Sequence, residues 1–234
     1  PFDLSFYENE IVSITGLIGS GKTTLASQIF GLSPNSKVKM TLNGNAYKPK
    51  SPKDAIAAGV FMCPKDRASN AVISEFDISN NLAIPFFKKH SSMSFLRSKS
   101  LTQNAKNSID ELGIVCQSEM DSVTTLSGGN QQKVMVGRWL AEESFVLLLD
   151  EPFQGVDIKA RRDIGLQIRS TSGKRATLIF VAELDEALEI ADRVIVLHEG
   201  NLVGEYQNKS KNIPEIVSSF SGSAYKQDSS NYGT

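Results

Sequence analysis

The 234 residues suffice for one large domain, or for a domain with a lobe, and can bury a substantial core. The net charge of −1 does not indicate a basic surface for nucleic acid. The two cysteines, Cys63 and Cys116, are too few for a disulfide framework and fit a reducing compartment. The longest apolar runs are too short to span a bilayer and there is no signal-peptide pattern. We therefore expect a soluble chain that reaches a membrane only through a partner.

Short apolar runs alternate with amphipathic stretches along the chain. Residues 1–6 alternate like the end of a strand, and this abrupt start predicts a fragment cut from a longer polypeptide. The run at 145–149 is continuously apolar, as expected of a parallel strand covered on both faces. Predicted strands are 11–15, 37–42, 60–63, 145–149, 177–181, 193–197 and 202–206; predicted helices are 23–30, 53–58, 78–87, 98–112, 127–140, 158–169, 183–190 and 213–220, with a loop at 90–94.

Residues 16–23 match the phosphate-binding loop Gly-x-x-x-x-Gly-Lys-Thr without a mismatch, between a predicted strand and a predicted helix. Glycines let the main chain approach the phosphates of a nucleotide, and the helix N-terminus adds unpaired N–H donors. Lys22 is expected to reach the β- and γ-phosphates, Thr23 to ligate magnesium and Thr24 to donate to a phosphate. The candidate phosphate-binding residues are Gly16, Leu17, Ile18, Gly19, Ser20, Gly21, Lys22, Thr23 and Thr24.

A pair of carboxylates, Asp150 and Glu151, follows the apolar strand at 145–149. Open α/β sheets bind ligands at the carboxyl ends of their strands, so Asp150 is the expected second magnesium contact. Glu151 is placed to polarise an attacking water as a general base. Together with Lys22, the pair predicts a nucleotide hydrolase.

The segment at 126–132, Leu-Ser-Gly-Gly-Asn-Gln-Gln, opens a predicted helix. A serine followed by two glycines at a helix N-terminus is a second anion site. Because the chain already has one phosphate loop, Ser127, Gly128 and Gly129 make sense as donors to a nucleotide held by another domain.

These motifs together resemble the nucleotide-binding domain of an ATP-binding cassette (ABC) transporter, from about Leu4 to Ser221. Residues 16–23 match the Walker A motif, 126–132 the signature motif, 145–151 the Walker B motif, and 151–157 the D-loop. Residues 126–134, 65–67 and 196–200 are most similar to the second cassette of double-cassette ATPases in monosaccharide importers.

The resemblance implies a three-layer α/β P-loop NTPase, with a mainly parallel sheet, an antiparallel β edge and an inserted helical subdomain. It divides the chain into a RecA-like ATP-binding body at 1–63 and 144–206, a helical signature subdomain at 64–143, a C-terminal helix at 207–220 and a disordered tail at 221–234. The apolar residues of the helical subdomain fit its core, and a groove for a partner remains an alternative for some of them: Phe76, Ile78, Leu82, Phe86, Phe87, Phe95 and Leu96.

By the same resemblance, the chain is the ATP-hydrolysing cassette of an importer for a sugar or related carbohydrate, with ATP and Mg²⁺ as ligands. Two cassettes pack head to tail, so Ser127, Gly128, Gly129 and Gln131 would contact the ATP of the second cassette. The implied partners are that cassette, membrane permease subunits and, indirectly, a periplasmic or extracellular sugar-binding protein, with no nucleic acid. The implied location is the cytoplasmic face of the cell membrane.

Two positions depart from the family pattern. Ala182 aligns with a histidine that contacts the γ-phosphate, and Lys65 aligns with a glutamine that contacts magnesium. An alanine side chain donates no hydrogen bond, and a protonated lysine cannot ligate a cation. A catalytically impaired cassette with a structural or regulatory role is therefore an alternative. A non-transport ABC ATPase acting on DNA or ribosomes is weaker, because the chain has no basic surface and no long coiled-coil insertion.

Overall fold

The computed structural model describes residues 2–33, 37–65, 72–87, 91–92, 95–96 and 98–222. It divides the chain into two compact units. The α/β unit comprises Pro1–Met62, Ser144–Glu151 and Ser172–Thr234, and the helical unit comprises Cys63–Glu143 and Pro152–Thr171.

Strands and helices follow one another through most of the described chain. In chain order the strands are β1 (Glu10–Thr15), β2 (Met40–Leu42), β3 (Asn45–Tyr47), β4 (Val60–Cys63), β5 (Ser91–Ser92), β6 (Phe95–Leu96), β7 (Val146–Asp150), β8 (Ala176–Val181), β9 (Arg193–His198) and β10 (Asn201–Gln207). The α-helices are α1 (Lys22–Ile29), α2 (Pro52–Ala57), α3 (Ile78–Ala83), α4 (Ser98–Leu112), α5 (Gly128–Leu140), α6 (Ile158–Ser170), α7 (Leu184–Ile190) and α8 (Ile213–Phe220).

Within the described residues, the main sheet has six strands in the order β10-β9-β1-β8-β7-β4. β1 pairs in parallel with β8 and β9, β7 pairs in parallel with β8, and β10 runs antiparallel to β9. Thr15 lies opposite Val181, and Asp150 lies opposite Phe180, so β1, β8 and β7 end almost level. The predicted parallel sheet with an antiparallel edge is confirmed, and its carboxyl edge is where such sheets bind ligands.

The core of the α/β unit is built from alternate residues of the parallel strands. Val12 and Ile14 of β1 are fully buried, as are Leu148 of β7 and Phe180 of β8. All residues of β8, and all but the first of β1 and β7, are buried, so both faces of these strands are covered, as the apolar run at 145–149 predicts. Burial of each large apolar side chain contributes about 1.5–3 kcal/mol.

Three predictions for the α/β unit are wrong in detail. Residues 2–7 form no strand. The strand predicted at 37–42 is confined to β2, which pairs with β3 across a turn where Asn43 and Gly44 both have positive φ. β7 begins at Val146 rather than Phe145, and the N–H groups of these two residues donate to the Gly59 carbonyl oxygen at 3.2 and 2.8 Å.

An ion network around the buried Arg193 joins three strands of the α/β unit at the end away from the carboxyl edge. The Arg193 guanidinium on β9 donates to both carboxylate oxygens of Glu10 on β1, at 2.8 and 2.7 Å, and to Glu205 on β10. Burial acts to lower the pKa of Arg193, but the hydrogen bonds to Glu10 and Glu205 outweigh it and raise the pKa. No local sequence pattern indicates this network, because Glu10 and Glu205 lie 183 and 12 residues from Arg193 along the chain.

The helical unit is organised around Asn81, a fully buried polar residue on α3. Its Nδ2 donates to the carbonyl oxygens of Ile73, Phe76 and Asp77 at 3.0–3.1 Å, and its Oδ1 accepts from the Ile73 N–H at 2.9 Å. The Arg138 guanidinium on α5 donates to the Asn81 carbonyl oxygen at 2.6 Å and approaches its Oδ1 at 3.3 Å. Burial lowers the pKa of Arg138. The side-chain amide of Asn81 therefore fixes the loop before α3, and its main-chain carbonyl anchors α5 through Arg138.

Several boundaries in the helical unit differ from the predictions. The helix predicted at 78–87, with an interruption at Pro85, ends as an α-helix at Ala83, and Ile84–Phe86 continue as a 3-10 turn, because Pro85 has no N–H to continue the α-helical ladder. Within the loop predicted at 90–94, residues 91–92 form β5, which pairs antiparallel with β6. Residues 152–171, which were expected outside the helical subdomain, group with it because α6 packs against α4 and α5.

Some predictions fall on residues outside the described ranges. These are residues 66 and 67 of the segment 65–67, residues 90, 93 and 94 of the predicted loop, and residues 223–234 of the expected disordered tail. The predictions for the side chains of Phe95 and Leu96 also lie outside what is described. In the part of the chain that is described, no helix combines the length and apolar character needed to cross a membrane.

Replacing Asn81 with Ala should lower the free energy of unfolding by about 3 kcal/mol, because each buried partner left unpaired costs about 1–3 kcal/mol. Urea denaturation measures the loss. The matched control is Asn80→Ala, which removes a partly exposed amide bonded to the Asp77 carboxylate at 3.0 Å, and we expect a change within about 0.5 kcal/mol. Equal losses in the two variants would refute the role of Asn81.

Candidate functional site

The phosphate-binding loop lies where the sequence predicted it, between β1 and α1. Gly21 is the N-cap of α1, with φ 92°, and no side chain caps the helix there. The N–H groups of the first helical turn therefore have no intrahelical partner and remain available to an anion. A Cβ built on Gly19 would meet no atom within 4 Å, so open space lies beside the loop. These features fit a bound phosphate chain.

The loop rests on the turn between β9 and β10. The Gly200 N–H donates to the Ser20 carbonyl oxygen at 3.0 Å, and a Cβ built on Gly21 would lie 3.2 Å from the Gly200 Cα. A Cβ on Gly16 would overlap the carbonyl oxygen of Leu197. Packing within the protein itself thus excludes a larger residue at 16 without a backbone shift and disfavours one at 21, independently of any ligand.

The remaining loop residues differ in exposure. Lys22 and Ser20 are buried, whereas Leu17 and Ile18 are exposed, Ile18 almost completely. Thr23 and Thr24 are exposed on the first turn of α1. The buried Ser20 hydroxyl has no hydrogen-bond partner within the described residues.

The Lys22 ammonium joins the phosphate loop to Glu151. Its Nζ donates to the Gly16 carbonyl oxygen at 3.1 Å and lies 4.0 Å from Glu151 Oε1. Both side chains are buried, with 9% of each exposed. At this distance and burial the attraction between ammonium and carboxylate is only weakly screened by solvent.

Glu151 adopts an unusual backbone conformation directly after β7. Its φ of 49° is rare for a residue with a side chain, and its N–H donates to the Phe180 carbonyl oxygen at 2.8 Å. The carboxylate Oε2 accepts from the backbone N–H of Ala182 at 3.3 Å. Ala182, where the sequence lacked the expected histidine, therefore contacts the site through its main chain. Asp150 is buried at the last position of β7.

The structure brings three of the predicted site residues together at the carboxyl edge of β1, β8 and β7: Lys22, Glu151 and Ala182. Lys65, the second position at which the sequence predicts a departure from the family pattern, is an exposed residue of the helical unit just after β4.

The signature segment caps α5 with its own side chains. Ser127 is the N-cap, and its Oγ accepts from Asn130 Nδ2 at 3.0 Å and lies 3.4 Å from the Asn130 N–H. Gln131 Nε2 donates to the Leu126 carbonyl oxygen at 3.1 Å. Gly128 and Gly129 form the first turn and are partly exposed. Ser127 remains exposed, with a hydroxyl that is already engaged within its own turn.

Sequence reasoning included Gln132 and Lys133 in the signature likeness but gave neither residue a role. Gln132 is buried and donates from Nε2 to the Pro152 carbonyl oxygen at 2.9 Å. Lys133 is buried and donates to the Gly113 carbonyl oxygen at 3.0 Å and to Asp163 Oδ2 at 2.7 Å. A signal existed, because Gln132 shares the stripe of Val136 and Trp139 on α5. A polar residue on a buried stripe requires a partner.

A family model described as ABC transporter matches residues 1–154, more than half of the chain. The chain belongs to the ABC transporter family. The matched part of this ABC cassette contains the phosphate loop, the signature segment and the Asp150–Glu151 pair.

Curated relatives of the cassette are similar over almost its whole length. The ribose import ATP-binding protein of Rubrobacter xylanophilus is 34% identical over 221 residues, which cover 94% of this chain and 43% of the relative. The arabinose import ATP-binding protein of Pectobacterium atrosepticum is 35% identical over 217 residues, with 92% and 43% covered. The chain thus spans less than half the length of these relatives.

Solved structures confirm the fold. The nucleotide-free form of an ATP-binding cassette from an ABC transporter has a TM-score of 0.77 at 20% identity, covering 92% of this chain and 87% of that one. Another ABC transporter cassette in its ADP conformation also has a TM-score of 0.77, at 21% identity, covering 94% and 90%. The predicted α/β fold of an ABC-type P-loop NTPase is confirmed.

Replacing Gly16 with Ala should lower the free energy of unfolding by about 3 kcal/mol, the upper part of the usual cost of overpacking, because the new methyl group overlaps a backbone oxygen that cannot rotate away. Thermal and urea denaturation measure the change. Gly44→Ala is the control: its φ is also positive, but a Cβ there meets nothing within 4 Å, so only the conformational cost of about 1 kcal/mol applies. A Gly16 variant no less stable than the Gly44 variant would contradict the packing argument.

Proposed function

We propose that this chain is an ATP-binding and ATP-hydrolysing cassette of an ABC importer for a sugar or a related carbohydrate. The observation that carries the proposal is the meeting of Lys22, Glu151 and the Ala182 N–H at one sheet edge, next to an uncapped helix N-terminus. The names of its relatives, which are import ATP-binding proteins for ribose, galactose and arabinose, support the transport assignment.

In this proposal the phosphate loop holds the nucleotide. The backbone N–H groups of Leu17 to Thr24 and the Lys22 ammonium bind the phosphates, in the pattern of other P-loops. The Thr23 hydroxyl and the Asp150 carboxylate are hard oxygen ligands of the kind that magnesium prefers. Bound magnesium neutralises charge that develops on the phosphates.

Glu151 is the proposed general base. Its carboxylate is buried, and the Ala182 N–H and the Lys22 ammonium fix its two oxygens in place. A fixed carboxylate can accept a proton from an attacking water without first reorganising, and such catalysis contributes about 10²–10⁴-fold. Nucleotide binding draws Lys22 toward the phosphates and leaves one Glu151 oxygen available to water.

The signature segment is proposed to serve a second cassette. Ser127, Gly128, Gly129 and Gln131 would face the ATP of that cassette when two packed head to tail, and a permease, with a sugar-binding protein acting on it, would complete the importer at the cytoplasmic face of the membrane. By its signature and terminal-strand likeness this chain would be the second cassette of a double-cassette protein.

A second candidate, a cassette with an impaired site, is favoured by Ala182 and Lys65. The backbone N–H of Ala182 is already used by Glu151, and its methyl group offers nothing to a γ-phosphate. Lys65 is an exposed cation where a magnesium contact is expected. The two candidates differ in whether Glu151 supports turnover.

Lys22→Ala should abolish Mg-ATP binding in titration calorimetry, because the loop then lacks its only side-chain cation. Glu151→Gln should leave binding unchanged and lower the hydrolysis rate of the assembled transporter by about 10²-fold, because an amide accepts no proton. If the Lys22→Ala variant still bound Mg-ATP as tightly as the wild type, the proposal that this loop holds the phosphates would be wrong. A Glu151→Gln enzyme at full rate would instead favour the impaired cassette.

Replacing Gly128 with Leu should slow the ATPase of the assembled transporter more than Lys22→Ala does, if this chain serves mainly the partner site. The loss of one donor at developing phosphate charge costs roughly 3–4 kcal/mol. Gly173→Leu is the control, because a Cβ there meets nothing within 4 Å. If Lys22→Ala is the more damaging change, this chain carries the main hydrolysis site and the asymmetric arrangement is wrong.

A further inference from the structure

Gln132 on α5 holds the start of the loop that follows Glu151. This side chain is 1% exposed, and its Nε2 donates to the Pro152 carbonyl oxygen at 2.9 Å. Pro152 is joined to Glu151 by a single peptide bond, so the bond fixes the main chain one residue after the proposed base. Proline has no N–H of its own, which leaves its carbonyl as the only backbone group that the chain can anchor at this position.

The same helix also holds the far end of the loop. Asp157 caps α6 by accepting from the Ala160 N–H at 2.8 Å. A Cβ built on Gly129, in the first turn of α5, would lie 3.2 Å from the Ala160 Cβ. Helix α5 therefore contacts the loop at 152–157 near both ends. Gln132 makes a hydrogen bond at the start of the loop, and Gly129 packs closely against Ala160, just after its end. All of these contacts lie within the helical unit.

We infer that Gln132 is a positioning residue that couples the signature helix to the Glu151 carboxylate of the same chain. The inference rests on the proposed ATPase function. The first turn of α5 carries Gly128 and Gly129, which we propose to face the partner's nucleotide, and the second turn carries Gln132. A shift of α5 on engagement of the partner site thus moves the Pro152 carbonyl and the residue before it. Gln132 would tie hydrolysis at this chain's site to the state of the opposite one.

The buried Pro152 carbonyl oxygen explains why a glutamine suits position 132. A buried carbonyl oxygen requires a donor. Glutamine supplies an uncharged one on a side chain long enough to span from helix to loop, whereas a buried lysine or arginine would bring an unpaired charge. Methionine matches glutamine in length and lacks the donor. Gln132→Met therefore removes the hydrogen bond while filling much the same space.

The test is the ATPase of the assembled transporter carrying Gln132→Met. We expect kcat to fall by about 10–100-fold, because displacement of a catalytic group by about 1 Å costs up to about 10²-fold. The KM for ATP should stay within about twofold, because the phosphate loop is untouched. Gln167→Met is the matched control: the same change on α6 removes an exposed hydrogen bond to Glu111 at 3.2 Å, and its kcat should equal that of the wild type.

A second measurement separates positioning from a general structural role. Gln132→Met is combined with Glu151→Gln, and single-turnover hydrolysis is followed. If Gln132 acts through Glu151, its substitution has no further effect once the carboxylate is gone. An equal fold-loss in both backgrounds, an effect on KM alone, or an unchanged kcat in the single variant would overturn the inference. If Glu151→Gln by itself does not slow hydrolysis, the proposed function fails instead.

Discussion

The register of three parallel strands is the constraint on which the candidate site depends. β1, β8 and β7 end within one residue of one another, as the pairing of Thr15 with Val181 and of Asp150 with Phe180 shows. Because of this, residues that follow separate strands meet: Lys22 after β1, Glu151 after β7 and Ala182 after β8. A slip of one residue in either pairing would turn the side chains to the opposite face of the sheet. The Arg193 network at the opposite end of the same sheet ties β1 to β9 and β10.

The site itself is held mainly by backbone groups. Glu151 has a left-handed conformation that costs about 1–3 kcal/mol for a residue with a side chain. The hydrogen bond from its N–H to Phe180 and the Ala182 N–H at its carboxylate offset part of that cost. Strain that is retained at a strand end, beside a phosphate loop, is typical of functional positions. The contact at position 182 is made by the main-chain N–H, so an alanine side chain there does not remove the hydrogen bond to Glu151.

The sequence predicted the parallel strands, the phosphate loop and the carboxylate pair, because each rests on local signals: apolar runs, glycine spacing and an acidic residue after a strand. It did not predict interactions between residues far apart in the chain. Arg193 with Glu10, Asn81 with Arg138, and Gln132 with Pro152 all lie outside any local pattern, although buried polar residues on apolar stripes mark where such partners are needed. It also failed at short elements such as β3 and β5, whose two or three residues carry too little periodicity to detect.

The support of the phosphate loop by the β9–β10 turn bears on how such loops are interpreted. Gly16 and Gly21 are confined by Leu197 and Gly200, which are parts of the protein and not of any ligand. By the same packing, a cassette that had lost hydrolysis would still be destabilised by a larger residue at either position. The glycine pattern therefore reflects packing within the protein as well as phosphate binding, and it does not by itself show activity. Evidence for ATP hydrolysis must therefore come from side chains that the fold does not need. In this chain the proposed departures at Lys65 and Ala182 bear on activity more directly than the glycines of the phosphate-binding loop do.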